Sequence, residues 1–364
     1  MNGTLRILHA ADLHLDSPFE AMGEQAAERR QEQRELLYRL AALARERRAE
    51  LLLLAGDLLD TNCAYAETGR VLCEALSQAG CPVFIAPGNH DYYCAASPYA
   101  WLELPENVHV FTSPVLDSVE LPELGVRVWG AAFTDQSAGP LLRGFRAPRR
   151  EGLREIGVLH GEVGAPHSRY NPVAEEEIAA SGLDYLALGH VHSAAGPRRA
   201  GDSFYAWPGC GQGRGFDECG EKGALYVEVD GDGCRAEFLP LGGRRYEVLD
   251  FDISRGWSEV RIPAGAGRDI YRLVLTGETE SAPDTEKLRE LLQGRFYALE
   301  IVDHTRLRRD IWERAEQDTL RGLFLRKMRG LYEAAPDEER RRTVTQAVRW
   351  GLAALDGGEA VKRL

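Results

Sequence analysis

Eight side chains suited to metal chemistry follow short apolar runs or turns in this sequence: Asp12, His14, Asp57, Asn89, His90, His160, His190 and His192. Divalent metals take carboxylate, imidazole and amide oxygen as ligands. Two metals held about 3.5–4 Å apart need a shared ligand, and a carboxylate with two oxygens suits that role. Asp57 stands centrally in the order, after the most apolar run, and is the natural bridge. The densest group is Gly189-His190-Val191-His192. In extended backbone, residues i and i+2 share a face, so both imidazoles would look into one cleft, with Gly189 letting the chain turn. Each group has a plain alternative: two unrelated surface histidines here, a polar turn at Asp12-Leu13-His14, ordinary turn chemistry at Pro87-Gly88-Asn89. Turn chemistry does not explain His90-Asp91 following at once, and five of the nine histidines fall in these segments.

The elements that must position these groups can be read outward from them. Leu5–His9 is a strand. Residues 24–49 carry Leu36, Leu37, Leu40 and Leu43 at helical spacing, an amphipathic helix over a sheet. Leu51–Ala55 is a continuous apolar run, as expected of a central strand buried on both faces. A helix over Tyr65–Gln78 stops at Gly80 and Pro82, and Val83–Ala86 is a third strand. This alternation predicts βαβ architecture with a largely parallel sheet, and the functional groups sit at carboxyl ends of strands, where open α/β sheets bind ligands.

Shorter strands follow at Val108–Phe111, Val115–Glu120, Val126–Ala131 and Glu155–Leu159, with Gln136–Arg150 read as a surface loop or short helix. A short helix over Glu175–Ser181 and a strand over Tyr185–Leu188 lead to the histidine pair. Phe204–Trp207, Ala224–Val229, Arg235–Leu239 and Arg245–Asp250 are further strands. Two mixed sheets packed face to face are expected. The pattern changes near residue 250. Strands over Asp269–Thr276 and Arg295–Val302 flank a helix over Thr285–Gln293. Helices over Asp310–Met328 and Asp337–Leu355 follow, divided by Pro336. Two domains are predicted, 1–250 and 251–364.

Seven cysteines, an odd number without a CxxC spacing, read as reduced thiols. The N-terminal stretch does not read as a secretory signal and no long apolar run reads as a membrane span, so a cytoplasmic protein is expected. The net charge is −13. It is uneven: residues 301–364 hold 14 Lys/Arg against 11 Asp/Glu. An acidic total argues against tight, unaided nucleic-acid binding but does not exclude local basic patches.

The motif order resembles that of the calcineurin-like metallophosphoesterases, which carry D-x-H, G-D, G-N-H-[DE], H and G-H-x-H. Here these stand as Asp12-Leu13-His14, Gly56-Asp57, Gly88-Asn89-His90-Asp91, His160-Gly161 and Gly189-His190-Val191-His192. The resemblance implies a four-layer α+β sandwich of two mixed sheets flanked by helices, with a smaller C-terminal α+β cap and terminal helices. Within that family the chain most resembles the SbcD-like DNA-repair exonucleases and their shorter YhaO-like branch, through Ile7–Asp16, Tyr205–Gly209 and Asp318–Met328.

That resemblance implies one metal on Asp12, His14, Asp57 and His192 and a second on Asp57, Asn89, His160 and His190. His90 would act on the scissile phosphate, with Asp91 orienting it. It also implies manganese (iron or zinc pairs use similar ligands) and a DNA substrate. An SbcC-like coiled-coil ATPase would be the partner, a homodimer being compatible. Leu320, Leu323, Phe324 and Met328, ringed by Arg321, Arg326, Lys327 and Arg329, form the stripe that would meet it; packing within their own domain is the plain alternative. Two other functions stay open: a phosphodiesterase for small nucleotides or other phosphoesters, and a metal-stabilised scaffold that recruits an ATPase. His9, His109 and His304 are read as structural, and His167, in the loop after the metal motif, either as a substrate contact or as a solvated loop residue.

Overall fold

Two apolar runs, Leu5–Ala10 (β1) and Leu51–Leu54 (β2), start the first sheet. In β2 all four leucines are buried, and their alternation divides them between two cores. Leu51 and Leu53 join Ile7, Phe84, Val128, Ile156, Val158 and Ala187 between the sheets. Leu52 and Leu54 pack with Leu36, Leu37, Leu40 and Leu72 beneath the helices α1 (Ala26–Glu46) and α2 (Ala66–Ser77). A strand buried on both faces has no polar position to spare, which is why this run does not alternate. Each fully buried leucine contributes roughly 1.5–3 kcal/mol.

The structure, a computed structural model, describes residues 3–148, 150–255 and 261–355. It divides into two compact units, Met1–Arg245 and Tyr246–Leu364. In the first unit the chain continues through β3 (Val83–Ile85), α3 (Pro98–Trp101), β4 (Val108–Val110), β5 (Asp117–Leu121), β6 (Val126–Gly130) and β7 (Arg154–His160). A small parallel pair, β8 (Glu162–Val163) and β9 (Pro172–Val173), precedes α4 (Glu175–Ser181) and β10 (Tyr185–Gly189). The hairpins β11 (Ala195–Ala200) with β12 (Ser203–Trp207), and β13 (Gly223–Asp230) with β14 (Gly233–Pro240), complete the two sheets. Their strand orders are β14-β13-β1-β2-β3-β4 and β11-β12-β10-β7-β6-β5. Antiparallel pairs occur only toward the ends of these orders, and the strands that carry the motifs run parallel within their sheets. The fold is thus the two-sheet, helix-flanked α/β sandwich read from the sequence.

The second unit has a parallel sheet of β15 (Tyr246–Asp252), β16 (Ile270–Thr276) and β18 (Ala298–Asp303), with α5 (Thr285–Leu291) packed on it. The two-residue strands β17 (Glu278–Thr279) and β19 (Arg306–Leu307) pair with each other. The helix expected over Asp310–Met328 is two elements: a 3-10 stretch over Arg309–Glu316, then α6 (Leu320–Glu333). Thr319 accounts for the break, because its hydroxyl accepts from Gly322 N–H at 3.0 Å and caps a new helix. Helix α7 (Glu338–Leu355) closes the described chain. The apolar stripe of α6 is split. Phe324 and Met328 pack with Ile311, Leu325, Val348 and Leu352, whereas Leu320 and Leu323 are exposed. Gln136–Arg150 holds turns and irregular backbone among its described residues. No disulfide joins the seven cysteines, and among the described residues no helix is long and apolar enough to cross a membrane.

Candidate metal centre

The candidate ligands follow five parallel strands at their carboxyl ends: Asp12 and His14 after β1, Asp57 after β2, Asn89 after β3, His160 closing β7, and His190 and His192 after β10. Hydrogen bonds from main-chain N–H groups lace the loops together. Asp12 N–H donates to Gly56 C=O at 3.0 Å, His14 N–H to Asp57 C=O at 3.0 Å, and His190 N–H to Asp12 Oδ2 at 3.0 Å. Asp12, His14, Asp57 and His190 all have positive φ, between 45° and 89°, a region that side chains avoid unless the surroundings hold them there. Gly189 is not the flexible turn expected from the sequence. A Cβ there would overlap the Ala55 carbonyl oxygen, so its role is close approach of two loops, and His190 takes the left-handed conformation instead.

The side chains converge. His14 Nε2 lies 3.3 Å from His192 Nε2 and 3.9 Å from Asp57 Oδ2. His160 Nε2 lies 3.0 Å from Asn89 Oδ1 and 3.4 Å from Asp57 Oδ2. Asp12 Oδ1 is 3.9 Å from both His192 Nε2 and His160 Nδ1. Asp57 therefore neighbours both histidine groups. His190 is set further out: its ring centroid is 5.2 Å from that of His160, and its Nε2 is 4.0 Å from Glu162. Its φ of 89° departs from the extended backbone that would align it with His192.

His90 is exposed on the rim, 4.8 Å from the His14 ring, with Nδ1 at 2.8 Å from the Asp60 carbonyl oxygen. Asp91 was expected to orient His90, and the structure gives it other partners. Its carboxylate accepts from the N–H groups of Asp57, Leu58 and Gly88 at 3.1, 2.8 and 2.8 Å and from Tyr99 O–H at 2.6 Å. Asp91 thus ties the β2 loop to the β3 loop. A cleft of about 470 Å³ opens here, lined among others by Asn89, His90, Tyr92, Gln136, Arg169 and Tyr170. The Tyr170 ring leans on His190 at 4.9 Å and carries the Arg169 guanidinium on it at 5.2 Å. His167 is an exposed loop residue nearby in sequence, and His109 packs on Phe84 and Phe111.

Three further polar residues back the centre and belong to no strand-end motif. Glu218 Oε1 receives His192 Nδ1–H at 2.7 Å. Arg214 reaches Glu218 at 2.8 Å and Asp60 at 3.1 Å. Asp60 Oδ1 stands 3.3 Å from His14 Nδ1, a contact not aligned as a hydrogen bond. Asp60, three residues past Asp57 in the same loop, was within reach of the sequence pattern; Glu218 and Arg214 come from a distant loop and only the fold brings them in. Helix α1 turns a buried polar face to these loops: Arg29 donates to Gly213 C=O at 3.3 Å and Gln33 to His14 C=O at 2.9 Å.

The electrostatics suit cations. Burial, then the neighbouring Asp57 carboxylate, pushes the Asp12 carboxyl well above its ordinary range. Burial holds His14, His160 and His190 down to about 4, so at neutral pH these imidazoles are uncharged with a lone pair to give. Burial opposes the charge on Glu218, but the hydrogen bonds from His192 and Arg214 prevail and keep it ionised. Crowded carboxylates and neutral imidazoles leave negative potential uncompensated, and three groups drawn from them bring ligand atoms within 4.8 Å of one another: Asp12/His14/His192, Asp12/Asp57/His160 and His14/Asp60/His90. The residues present fit divalent metal ions.

A two-sheet sandwich that brings carboxylates and imidazoles together at its strand ends defines the class: an α/β sandwich with a candidate metal centre. The chain belongs to the calcineurin-like phosphoesterases, whose family profile matches residues 5–194. It is 32% identical over 258 residues to the metallophosphoesterase YhaO of Bacillus subtilis (strain 168), covering 67% of this chain and 61% of the relative. It is 27% identical over 277 residues to the DNA double-strand break repair protein Mre11 of Aeropyrum pernix, covering 70% and 65%. With the protein of the same name from Methanopyrus kandleri the identity is 25% over 309 residues, covering 78% and 67%. The matched stretch thus spans about three fifths to two thirds of these relatives.

Proposed function

We propose that this chain is a two-metal DNA nuclease, an exonuclease/endonuclease that hydrolyses phosphodiester bonds in DNA repair. Asp12, His14, Asp57 and His192 would hold one ion, and Asp57, Asn89, His160 and His190 the other. When bound, the pair neutralises the phosphodiester and makes hydroxide available near neutral pH. Manganese is the metal that the resemblance favours, and the same ligands accept iron or zinc. The chain's own residues do the rest. Asp57, beside both histidine groups, would be the ligand common to both ions. His90, with Nδ1 donating to the Asp60 carbonyl, keeps Nε2 to stabilise the reacting phosphate or to hand a proton to the leaving oxygen. Asp91 acts at one remove, by fixing the loops that carry Asp57 and Asn89. The observation that carries this reading is the convergence of five strand-end motifs on one centre, with His90 on the rim of an open cleft.

DNA rather than a small phosphoester is favoured by the two relatives named as DNA double-strand break repair proteins. In this reading residues 1–250 are the nuclease domain and 251–364 a capping domain with C-terminal helices. Exposed Leu320 and Leu323 would contact DNA or an SbcC-like coiled-coil ATPase in the cytoplasm, with the chain acting alone or as a homodimer. The acidic balance supports a second reading, a phosphodiesterase for small nucleotides. Turnover of linear double-stranded DNA, a cyclic nucleotide and an aryl phosphodiester with manganese separates the two. Cleavage of DNA sustains the nuclease. Cleavage of the small diesters alone, unchanged when an SbcC-like ATPase is added, moves the activity to small substrates. Failure on all three with metal bound would leave the scaffold.

A further inference from the structure

We propose that Asp60, Arg214 and Glu218 form a half-buried clamp that makes the two metal positions unequal. The position on His14 and His192 is pre-set and binds tightly; the position on His160 and His190 is looser and fills second. This rests on the two-metal reading above.

The asymmetry lies in what stands behind each imidazole. His192 Nδ1 donates to Glu218 Oε1 at 2.7 Å, and His14 Nδ1 lies 3.3 Å from Asp60 Oδ1. Both rings turn Nε2 inward, where the two nitrogens are 3.3 Å apart. A carboxylate that accepts from a histidine fixes its tautomer and orientation and raises its basicity as a ligand, as Glu218 does for His192; Asp60 adds its negative charge behind His14. Arg214 locks the two carboxylates to each other, at 3.1 Å from Asp60 and 2.8 Å from Glu218. Two carboxylates against one guanidinium leave one net negative charge behind this position. The clamp is itself held: Arg214 N–H donates to Glu218 Oε2 at 2.8 Å, and buried Arg29 from α1 donates to Gly213 C=O at 3.3 Å.

The other position has no such backing. His160 Nδ1 donates to a neutral carbonyl, that of Ala55, at 2.9 Å. His190 faces Glu162 at 4.0 Å, beyond hydrogen-bond reach, and that carboxylate is 37% exposed. The His190 ring rests on Tyr170, and His190 is absent from all three tight groups of ligand atoms. Closing this position requires His190 to move inward, and that cost falls on the second ion alone.

The test is a manganese titration of the metal-free full chain, following free Mn(II) by its electron paramagnetic resonance signal, so no turnover is needed. Wild type should show two binding classes. Glu218→Gln keeps the shape but removes the charge, and should weaken the tighter class by about 10–100-fold, the usual cost of losing such a partner, with the weaker class unchanged. Asp60→Asn should do the same and serves if the first variant does not fold, judged by circular dichroism. Glu162→Gln should touch only the weaker class. Two classes in wild type that Glu218→Gln and Asp60→Asn leave in place, or weaken equally, would overturn the clamp. A wild type that binds fewer than two ions would overturn the two-metal reading itself.

Discussion

His9 and Asp91 show at the residue scale how much the centre depends on groups outside it. His9 is fully buried on β1, with its ring nitrogens at 2.9 Å from the Tyr185 hydroxyl and 3.1 Å from the Leu188 carbonyl. Burial drives it down to about 3, outweighing the carbonyl contact. Between pH 6.5 and that value the unfolded chain binds a proton that the folded chain refuses, so stability falls as pH falls through this window. The metal-free protein should lose up to about 1.4 kcal/mol per pH unit from this group. Urea unfolding at pH 7 and pH 5 should show a shallower acid loss in His9→Gln; equal losses would place the burden on other groups. Asp91 gathers three backbone N–H groups and the Tyr99 hydroxyl within 3.1 Å. Asp91→Ala should destabilise by at least about 1–3 kcal/mol, the cost of one buried donor left unpaired, and should weaken metal binding. An unchanged unfolding midpoint would contradict its structural role.

At the scale of elements, strands deliver the ligands but close-packed loops set their geometry. Gly189→Ala would drive a Cβ into the Ala55 carbonyl oxygen at the end of β2. We expect that variant to lose several kcal/mol of stability, in the range of overpacked core sites, and to bind manganese poorly by titration. Native stability with full affinity would show that the loops tolerate separation. Most of these elements were legible in the sequence, because Leu51–Leu54 has no polar position and α1 repeats its leucines at helical spacing. The order of strand-end motifs was legible for the same reason: each ligand follows its own strand. What was not legible comes from across the fold. Glu218 meets His192 only because β12 and the loop after it return to β10. The conformation of His190 depends on Asp12 accepting from its N–H, which spacing alone does not reveal. The break at Thr319 was missed because an apolar helical pattern runs on past a capping residue.

At the scale of the whole molecule, a net charge of −13 coexists with a proposed DNA substrate. In that proposal part of the acidity is functional, since Asp12 and Asp57 would serve as ligands and a bound pair of divalent ions would offset them. The central claim is that metal binding and turnover are divided between different residues: the strand-end ligands hold the ions, and His90 works on the phosphate from the rim. The most direct measurement is manganese content beside nuclease turnover on linear double-stranded DNA, for wild type and His90→Ala. The account predicts that the variant retains the wild-type manganese stoichiometry while turnover falls by about 10²–10⁴-fold, the range of a lost proton-transfer group. A variant that loses manganese in proportion to its activity, or that keeps both, would contradict it.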